Sequence, residues 1–172
     1  MKAHATALVD PAAKVADDVE IGPFCVVGAG VTLGPGCKLG PRVTLRGAVT
    51  LGRDNSLHSN VSIEGPVDIG DGNVLRESIQ IAPKAVVGSR NRFGVWVNIG
   101  AGARVADDTH FGAFAVVAEN CKIGAKVLVE GQTVLDAGIK VGAGAHIRSQ
   151  VPVSADVGAN VLLDGNPAEA QA

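Results

Sequence analysis

Hydrophobic side chains recur at every sixth residue along most of this chain. From Val9 to Ile147, each of 24 positions spaced by six is aliphatic or Phe, and no insertion breaks the count. A helix repeats at about 3.6 residues and a free-standing strand at about 2, so neither produces this period. The period therefore indicates a repeating architecture. Gly or Pro frequently follows these positions, which predicts a short β segment and then a corner in each hexad.

Three hexads close one triangular turn, so the repeat predicts 18-residue coils and, over the 24 hexads, eight coils. The predicted fold is all-β: a single-stranded parallel β-helix of hexapeptide repeats. We predict a lead-in over residues 1–8, the β-helix over residues 9–153 and a tail over residues 154–172.

The 18-residue coil also predicts which side chains are neighbours. Asn55, Asn73 and Asn91 are 18 apart at a small inward position, and Thr109 continues their column. Their amides are expected to form a hydrogen-bonded ladder along one corner. We favour this structural role over a polar ligand site, because a buried amide needs partners supplied by its neighbours.

Composition narrows the functional classes. With 172 residues the chain suits one domain, and its net charge of -2 and pI near 6.0 argue against a nucleic-acid partner. Neither a signal peptide nor a transmembrane segment is recognised, which leads us to expect a cytoplasmic protein.

Cys25, Cys37 and Cys121 fall on three different corners, so we expect separate, buried and unreactive thiols.

Two stretches carry a resemblance to a known family. The opening, from His4 to Val15 and from Val19 to Gly28, resembles the start of the UDP-N-acetylglucosamine acyltransferases of lipid A synthesis. The segment from Ile69 to Glu77 is similar to that family's IG-D-x-N-x-x-R-E motif. The resemblance implies a left-handed β-helix and a homotrimer with ligand clefts between subunits. It also implies no bound cofactor, and an acyl-carrier-protein or coenzyme A thioester as co-substrate.

The family's general base is a histidine in a V-H-I-A-H-D-C stretch, which aligns with residues 97–103. The base position is Ala101, and the earlier histidine of the stretch is Asn98. Three further family histidines fall on Ala82, Asn120 and Asp136, so the chain lacks the family's known catalytic histidines. The family's C-terminal helical region and a loop insertion before the IG-D segment are also expected to be missing. The residues expected in the ligand cleft are Asn73, Arg76, Glu77, Trp96, Asn98, Phe114 and Asn120.

His110 is the candidate substitute for the missing base. It lies beside Thr109 and, one coil away, Arg92, and a histidine titrates near neutral pH. The alternative is a solvated surface histidine.

His110 and His146 are 36 residues apart, hence two coils or roughly 10 Å, which exceeds the reach of one metal ion. We therefore expect no metal site.

Outward aromatic side chains share one column of the predicted prism. Phe24, Trp96 and Phe114 occupy equivalent places after an inward residue, with Trp96 directly above Phe114. Large exposed aromatics usually mark an interface. The interface at this aromatic column is either trimer packing or a groove for an acyl chain or pantetheine arm.

The tail at residues 162–168 resembles the C-terminal turn of hexapeptide acetyltransferases. It fits either a turn near a coenzyme A site or a cap on the last coil.

Two functions remain open from the sequence. The first is transfer of an acyl or acetyl group from a thioester carrier to a UDP-sugar-like acceptor, without the family's usual catalytic histidine. The alternative is a non-catalytic trimeric scaffold for binding or assembly that derives from the acyltransferase.

Overall fold

The chain winds into a β-solenoid whose strands form three parallel sheets. In this computed structural model, residues 1–165 and 169–171 are described, and these contain no helix. The first sheet consists of Lys2–Ala3, Glu20–Ile21, Lys38–Leu39, Ser56–Leu57, Val74–Leu75, Arg92–Phe93, His110–Phe111, Leu128–Val129, His146–Ile147, Leu162–Asp164 and Glu169–Gln171. The second consists of Leu8–Val9, Val26–Val27, Thr44–Arg46, Ser62–Glu64, Gln80–Ile81, Asn98–Ile99, Val116–Val117, Val134–Leu135 and Pro152–Val153. The third consists of Lys14–Val15, Thr32–Leu33, Val49–Leu51, Val67–Ile69, Val86–Val87, Arg104–Val105, Lys122–Ile123 and Lys140–Val141.

Neighbouring strands are one 18-residue coil apart. Ile63 pairs with Ile81, and Ile81 pairs with Ile99, in parallel register. The predicted parallel β-helix is confirmed and is consistent with the left-handed form, with about nine turns where the repeat predicts eight. Strand pairing begins at Lys2–Ala3, ahead of the repeat as counted from Val9, and continues to Leu162–Asp164. Glu169–Gln171 then adds an antiparallel strand at the end of the first sheet.

The core is the column of residues spaced by six. Every one of these residues from Ile21 to Ile147 is buried, whereas Val9 and Val15 are only half-buried because they lie in the first coil, at the open end. Phe93 and Phe111 stack inside this column, with ring centroids 5.2 Å apart and nearly parallel planes. The strands are mostly two residues long. The fold is therefore stabilised by packing between successive coils and not by long individual strands.

Three faces and three corners describe the outer surface. The first, second and third faces are the outer sides of the sheets in that order. The first corner joins the first sheet to the second, the second corner joins the second to the third, and the third corner returns to the first. Many corner residues have positive φ, including Phe24, Trp96 and Phe114 near +60°. Bulky residues rarely adopt this left-handed conformation.

The predicted asparagine ladder is present at the third corner but incomplete, because Asn91 Nδ2 is buried without a hydrogen-bond partner among the described residues. Asn73 Nδ2 donates to Asn55 Oδ1 at 3.0 Å and to the Gly88 carbonyl at 3.0 Å. Asn73 Oδ1 in turn accepts the backbone N–H of Asn91 at 2.9 Å, and Asn91 Oδ1 accepts the hydroxyl of Thr109. All four side chains are buried. The column therefore braces the corner from inside and does not reach a surface.

The three cysteines are free and buried on three different corners, as expected. Their thiols donate to backbone carbonyls one coil on: Cys25 to Gly40, Cys37 to Gly52 and Cys121 to Asp136. Burial raises the pKa of each thiol above its ordinary value, which keeps the sulfur protonated and unreactive at neutral pH.

Candidate functional site

The positions that align with the family's histidine stretch lie on the second face and the second corner. Asn98 is exposed at the start of the strand Asn98–Ile99. Ala101 and Asn120 occupy the second corner on successive coils, where the Asn120 N–H donates to the Ala101 carbonyl at 2.9 Å. The groove beside them is about 660 Å³ and has polar walls at Ser62, Glu64, Gln80, Asn98 and Glu119. It can offer amide and carboxylate hydrogen bonds, but its lining includes no histidine.

His110 lies on a different face. It is exposed on the first face, directly opposite Arg92 of the preceding coil. A groove of about 430 Å³ brings these two side chains together with His58 and Arg76. Thr109 precedes His110 in the chain but points into the core and donates to Asn91, as the inward column predicts, so it is not available beside the imidazole. Within one chain, His110 therefore does not share a groove with Asn98.

His110 and His146 lie in strands of the first sheet, and His4 and His58 directly follow such strands; of the four, only His110 forms no hydrogen bond with the described residues. His4 Nδ1 contacts the Thr6 hydroxyl at 2.9 Å, His58 Nδ1 contacts Glu77 at 3.3 Å and His146 Nε2 contacts Glu130 at 2.6 Å. Among the described residues, no hydrogen bond involves the imidazole of His110. Its ring is therefore the one whose nitrogens are both open to a ligand.

The two glutamates that bind histidines are stabilised as carboxylates. A hydrogen bond from its own backbone, followed by the one from His58, holds the pKa of Glu77 below its ordinary value. The pKa of Glu130 is lowered chiefly by the hydrogen bond from His146, with Ser149 adding a second donor. Both histidines are thus engaged in local pairs on the prism surface.

The other predicted cleft residues do not converge on one groove. Asn73 is fully buried in the ladder and cannot contact a ligand at the surface. Arg76 lines the first-face groove, and Glu77 lies next to it, bound to His58. Trp96 and Phe114 occupy the first corner, between the face that carries His110 and the face that carries Asn98. His58 completes the first-face groove, and its spacing of 18 from Arg76 is the sequence signal that could have placed it there.

Trp96 and Phe114 are 56% and 51% exposed on successive coils, as the column predicts. Their rings, however, do not form a stacked pair, and the stacked aromatic pair among the described residues is the buried Phe93 and Phe111. Among the described residues, the large exposed hydrophobic side chains other than Met1 lie at the first corner or beside it on the second face: Leu8, Phe24, Trp96, Phe114 and Val134. We call this set the apolar stripe.

The described residues contain neither a candidate metal-binding cluster nor a candidate membrane-spanning helix. No group of three or more His, Cys, Asp or Glu side chains there could hold a metal ion. The described part of the chain also contains no helix that is long and apolar enough to cross a membrane. The tail residues expected near a coenzyme A site include Asn166, Pro167 and Ala168, which lie outside the described residues.

The fold and its repeat are those of the hexapeptide-repeat acyltransferase superfamily. The family model for the bacterial transferase hexapeptide (six repeats) matches residues 12–47. UDP-N-acetylglucosamine O-acyltransferase from Saccharophagus degradans is 50% identical over 44 residues, a match that spans 26% of this chain and 17% of that protein.

Two solved structures extend the likeness to nearly the whole chain. LpxA from Acinetobacter baumannii is 30% identical with a TM-score of 0.94, over 98% of this chain and 72% of that one. UDP-N-acetylglucosamine O-acyltransferase (LpxA) from Moraxella catarrhalis is 28% identical with a TM-score of 0.97, over 99% of this chain and 74% of that one. The chain belongs to the UDP-N-acetylglucosamine acyltransferase family.

Proposed function

We propose that this protein transfers an acyl or acetyl group from a thioester carrier to a hydroxyl of a UDP-sugar-like acceptor, with His110 as the general base. The observation that carries the proposal is the state of His110, which is exposed, unbound and set in a groove with Arg76 and Arg92. Two guanidinium groups suit the phosphates of a nucleotide sugar. Family membership supplies the reaction class.

In the proposed reaction His110 takes the proton of the acceptor hydroxyl as the oxygen attacks the thioester carbonyl. The new C–O bond forms, the C–S bond breaks, and the imidazolium returns the proton to the departing sulfur. The co-substrate is an acyl-carrier-protein or coenzyme A thioester, and no bound cofactor is needed. The reaction takes place in the cytoplasm, where such thioesters are made.

The proposed assembly is a homotrimer. Its support is the apolar stripe, because exposed aromatic side chains are costly in water and usually mark an interface. Trp96 and Phe114 also have positive φ, a conformation that is unfavourable for bulky residues and needs compensation elsewhere. A neighbour packed along the stripe would bring its own face near the first-face groove of the next subunit, as the family's clefts between subunits imply.

The test is a thiol-release assay with acetyl coenzyme A and acyl-carrier-protein thioesters, using UDP-N-acetylglucosamine and related UDP-sugars as acceptors. His110→Gln should lower kcat by about 100-fold, the usual scale for loss of a general base, with little change in KM. His4→Gln is the matched control, since His4 lies on the same face at the far end of the prism. A rate that survives in His110→Gln would assign the proton transfer to another group.

The non-catalytic scaffold is the second candidate, and a specific observation favours it. The family's base position is Ala101, and the groove beside it has no histidine in its lining. If no thioester releases thiol with any acceptor, while UDP-sugars still raise the melting temperature, the protein is a binding scaffold. Turnover that depends on His110 would exclude this candidate.

A further inference from the structure

The third face stacks three cations in register. Arg104 lies directly opposite Lys122, and Lys122 lies directly opposite Lys140, on adjacent parallel strands. All three side chains are exposed, and none of them forms an ion pair with the described residues. Like charges directly opposite each other destabilise a sheet. The repulsion among these three cations therefore lowers the stability of the folded protein unless another interaction offsets it.

Elsewhere the same register pairs opposite charges. On the first face, Glu20 lies between Lys2 and Lys38. On the second face, Arg46 lies opposite Glu64. The stacking of like charges is thus a local feature of the third face and not a general consequence of the 18-residue coil.

These three cations line a shallow groove of about 640 Å³. Its floor is made of small residues one place after each inward side chain, namely Ala106, Gly124 and Gly142. One wall is the segment 156–159, which a bridge between Val141 and Val157 holds against the third sheet. The cations span two strand spacings, hence about 10 Å along the groove.

Few carboxylates oppose this charge. Asp156 lines the groove and offsets one of its three positive charges, while its Oδ1 accepts the backbone N–H of Lys140 at 2.8 Å. Asp68 lies two strands away from Arg104 on the same face. At the neighbouring corner, Asp107 and Asp108 are bound to Arg90. The groove therefore keeps a local excess of positive charge in a chain whose net charge is -2.

We propose that the third-face groove binds a soluble ligand carrying two or three linked phosphates, held by Arg104, Lys122 and Lys140. A chain of linked phosphates matches the length of the three cations, and the small floor residues leave room for it above the sheet. Guanidinium and ammonium groups are the usual protein partners of phosphate oxygens. The groove lies on a different face of the subunit from His110, and the two grooves share no lining residue.

The test uses inorganic tripolyphosphate as the probe, with binding measured by calorimetry and by the melting temperature. The wild-type protein should bind it, more weakly as sodium chloride rises from 50 to 200 mM, because salt screens exposed charges. Lys122→Gln should weaken binding about tenfold, the equivalent of one charged contact. Without ligand, the same substitution should raise the melting temperature by about 2 °C, because it removes like-charge repulsion from both neighbours.

Lys14→Gln is the matched control. Lys14 occupies the same column of the third face, but it lies opposite Thr32 and far from the groove. Its substitution should change neither tripolyphosphate binding nor stability. Lys140→Gln provides a second variant within the groove.

The proposal is overturned if the wild-type protein does not bind tripolyphosphate, or if Lys122→Gln and Lys140→Gln bind it as the wild-type protein does. Binding only to vesicles of phosphatidylcholine and phosphatidylglycerol would also overturn it, since that result indicates a lipid surface. Unchanged thioester turnover in these variants is expected, so the outcome is separate from that of the His110 experiment.

Discussion

Thr109 donates two hydrogen bonds to the side-chain Oδ1 of Asn91, one from its backbone N–H and one from its hydroxyl, each at 2.7 Å. Asn91 is in turn bound through its backbone to Asn73, and Asn73 to Asn55. The chain of contacts ties four successive coils together inside the third corner. Because these groups are buried, each depends on the next for its hydrogen bonds.

Removal of one member of this ladder should be costly. Asn73→Ala deletes two donated hydrogen bonds, leaves the backbone N–H of Asn91 without its acceptor and opens a cavity. We expect the free energy of unfolding to fall by about 3 kcal/mol. Urea unfolding measures it, with Asn98→Ala as the control because Asn98 is exposed. Equal stability of the two variants would contradict the bracing role.

Close packing between coils predicts which corner glycines tolerate a methyl group. A Cβ added to Gly124 would lie 2.6 Å from the backbone nitrogen of Ala143, whereas one added to Gly138 meets nothing within 4 Å. Gly138 has φ of +78°, so its substitution still carries backbone strain. We expect Gly124→Ala to cost about 2 kcal/mol and Gly138→Ala about 1 kcal/mol. Thermal unfolding of both variants checks the order, which reverses if the coils can separate freely at Gly124.

The six-residue spacing was sufficient to predict a parallel β-helix, whereas its left-handed sense was implied by the family resemblance. Any side chain in phase with Val9 had to point inward, and the 18-residue coil then placed Asn73 between Asn55 and Asn91. The same arithmetic places Trp96 above Phe114, but ring orientation depends on side-chain torsions that a repeat does not encode. The rings consequently do not stack.

The candidate site was less predictable from the sequence. Residues that are adjacent in a family motif can lie on different faces of the β-helix or point into its core. Asn73 belongs to the motif, yet it is buried, while His110 and Asn98 are two hexads apart and so lie on different faces. The cations Arg104, Lys122 and Lys140 are spaced by 18 in the sequence. The net charge of the chain does not reveal this cluster, because it sums the charges on all three faces.

The apolar stripe predicts how the proposed homotrimer can be dissociated. Trp96→Asn and Phe114→Asn remove two exposed rings and introduce a residue that accepts positive φ readily. We expect the double variant to remain folded but to become monomeric, as measured by light scattering after size-exclusion chromatography. Gln132→Asn is the control, because Gln132 has φ of +59° in the same corner column and is already polar. A double variant that stays trimeric would place the interface elsewhere.

The pair formed by His146 and Glu130 predicts a pH dependence of stability. The hydrogen bond from His146 lowers the pKa of Glu130 in the folded protein from its ordinary 4.5, so folding favours the carboxylate. The stabilisation is therefore fully present above pH 4.5 and is lost as the pH falls through the lowered pKa. Since both side chains are about one third exposed, we expect Glu130→Gln to cost only about 0.5 kcal/mol at pH 5.5.

At pH 3 the difference between Glu130→Gln and the wild-type protein should be smaller, because the wild-type carboxyl is then increasingly protonated and resembles the amide. Urea unfolding at both pH values measures the change. Glu119→Gln is the matched control, since Glu119 is an exposed glutamate whose side chain forms no hydrogen bond with the described residues. If Glu130→Gln and Glu119→Gln respond to pH in the same way, the bond to His146 makes no contribution to stability. A gap between the two variants that closes toward low pH assigns that contribution to the ionised form of Glu130.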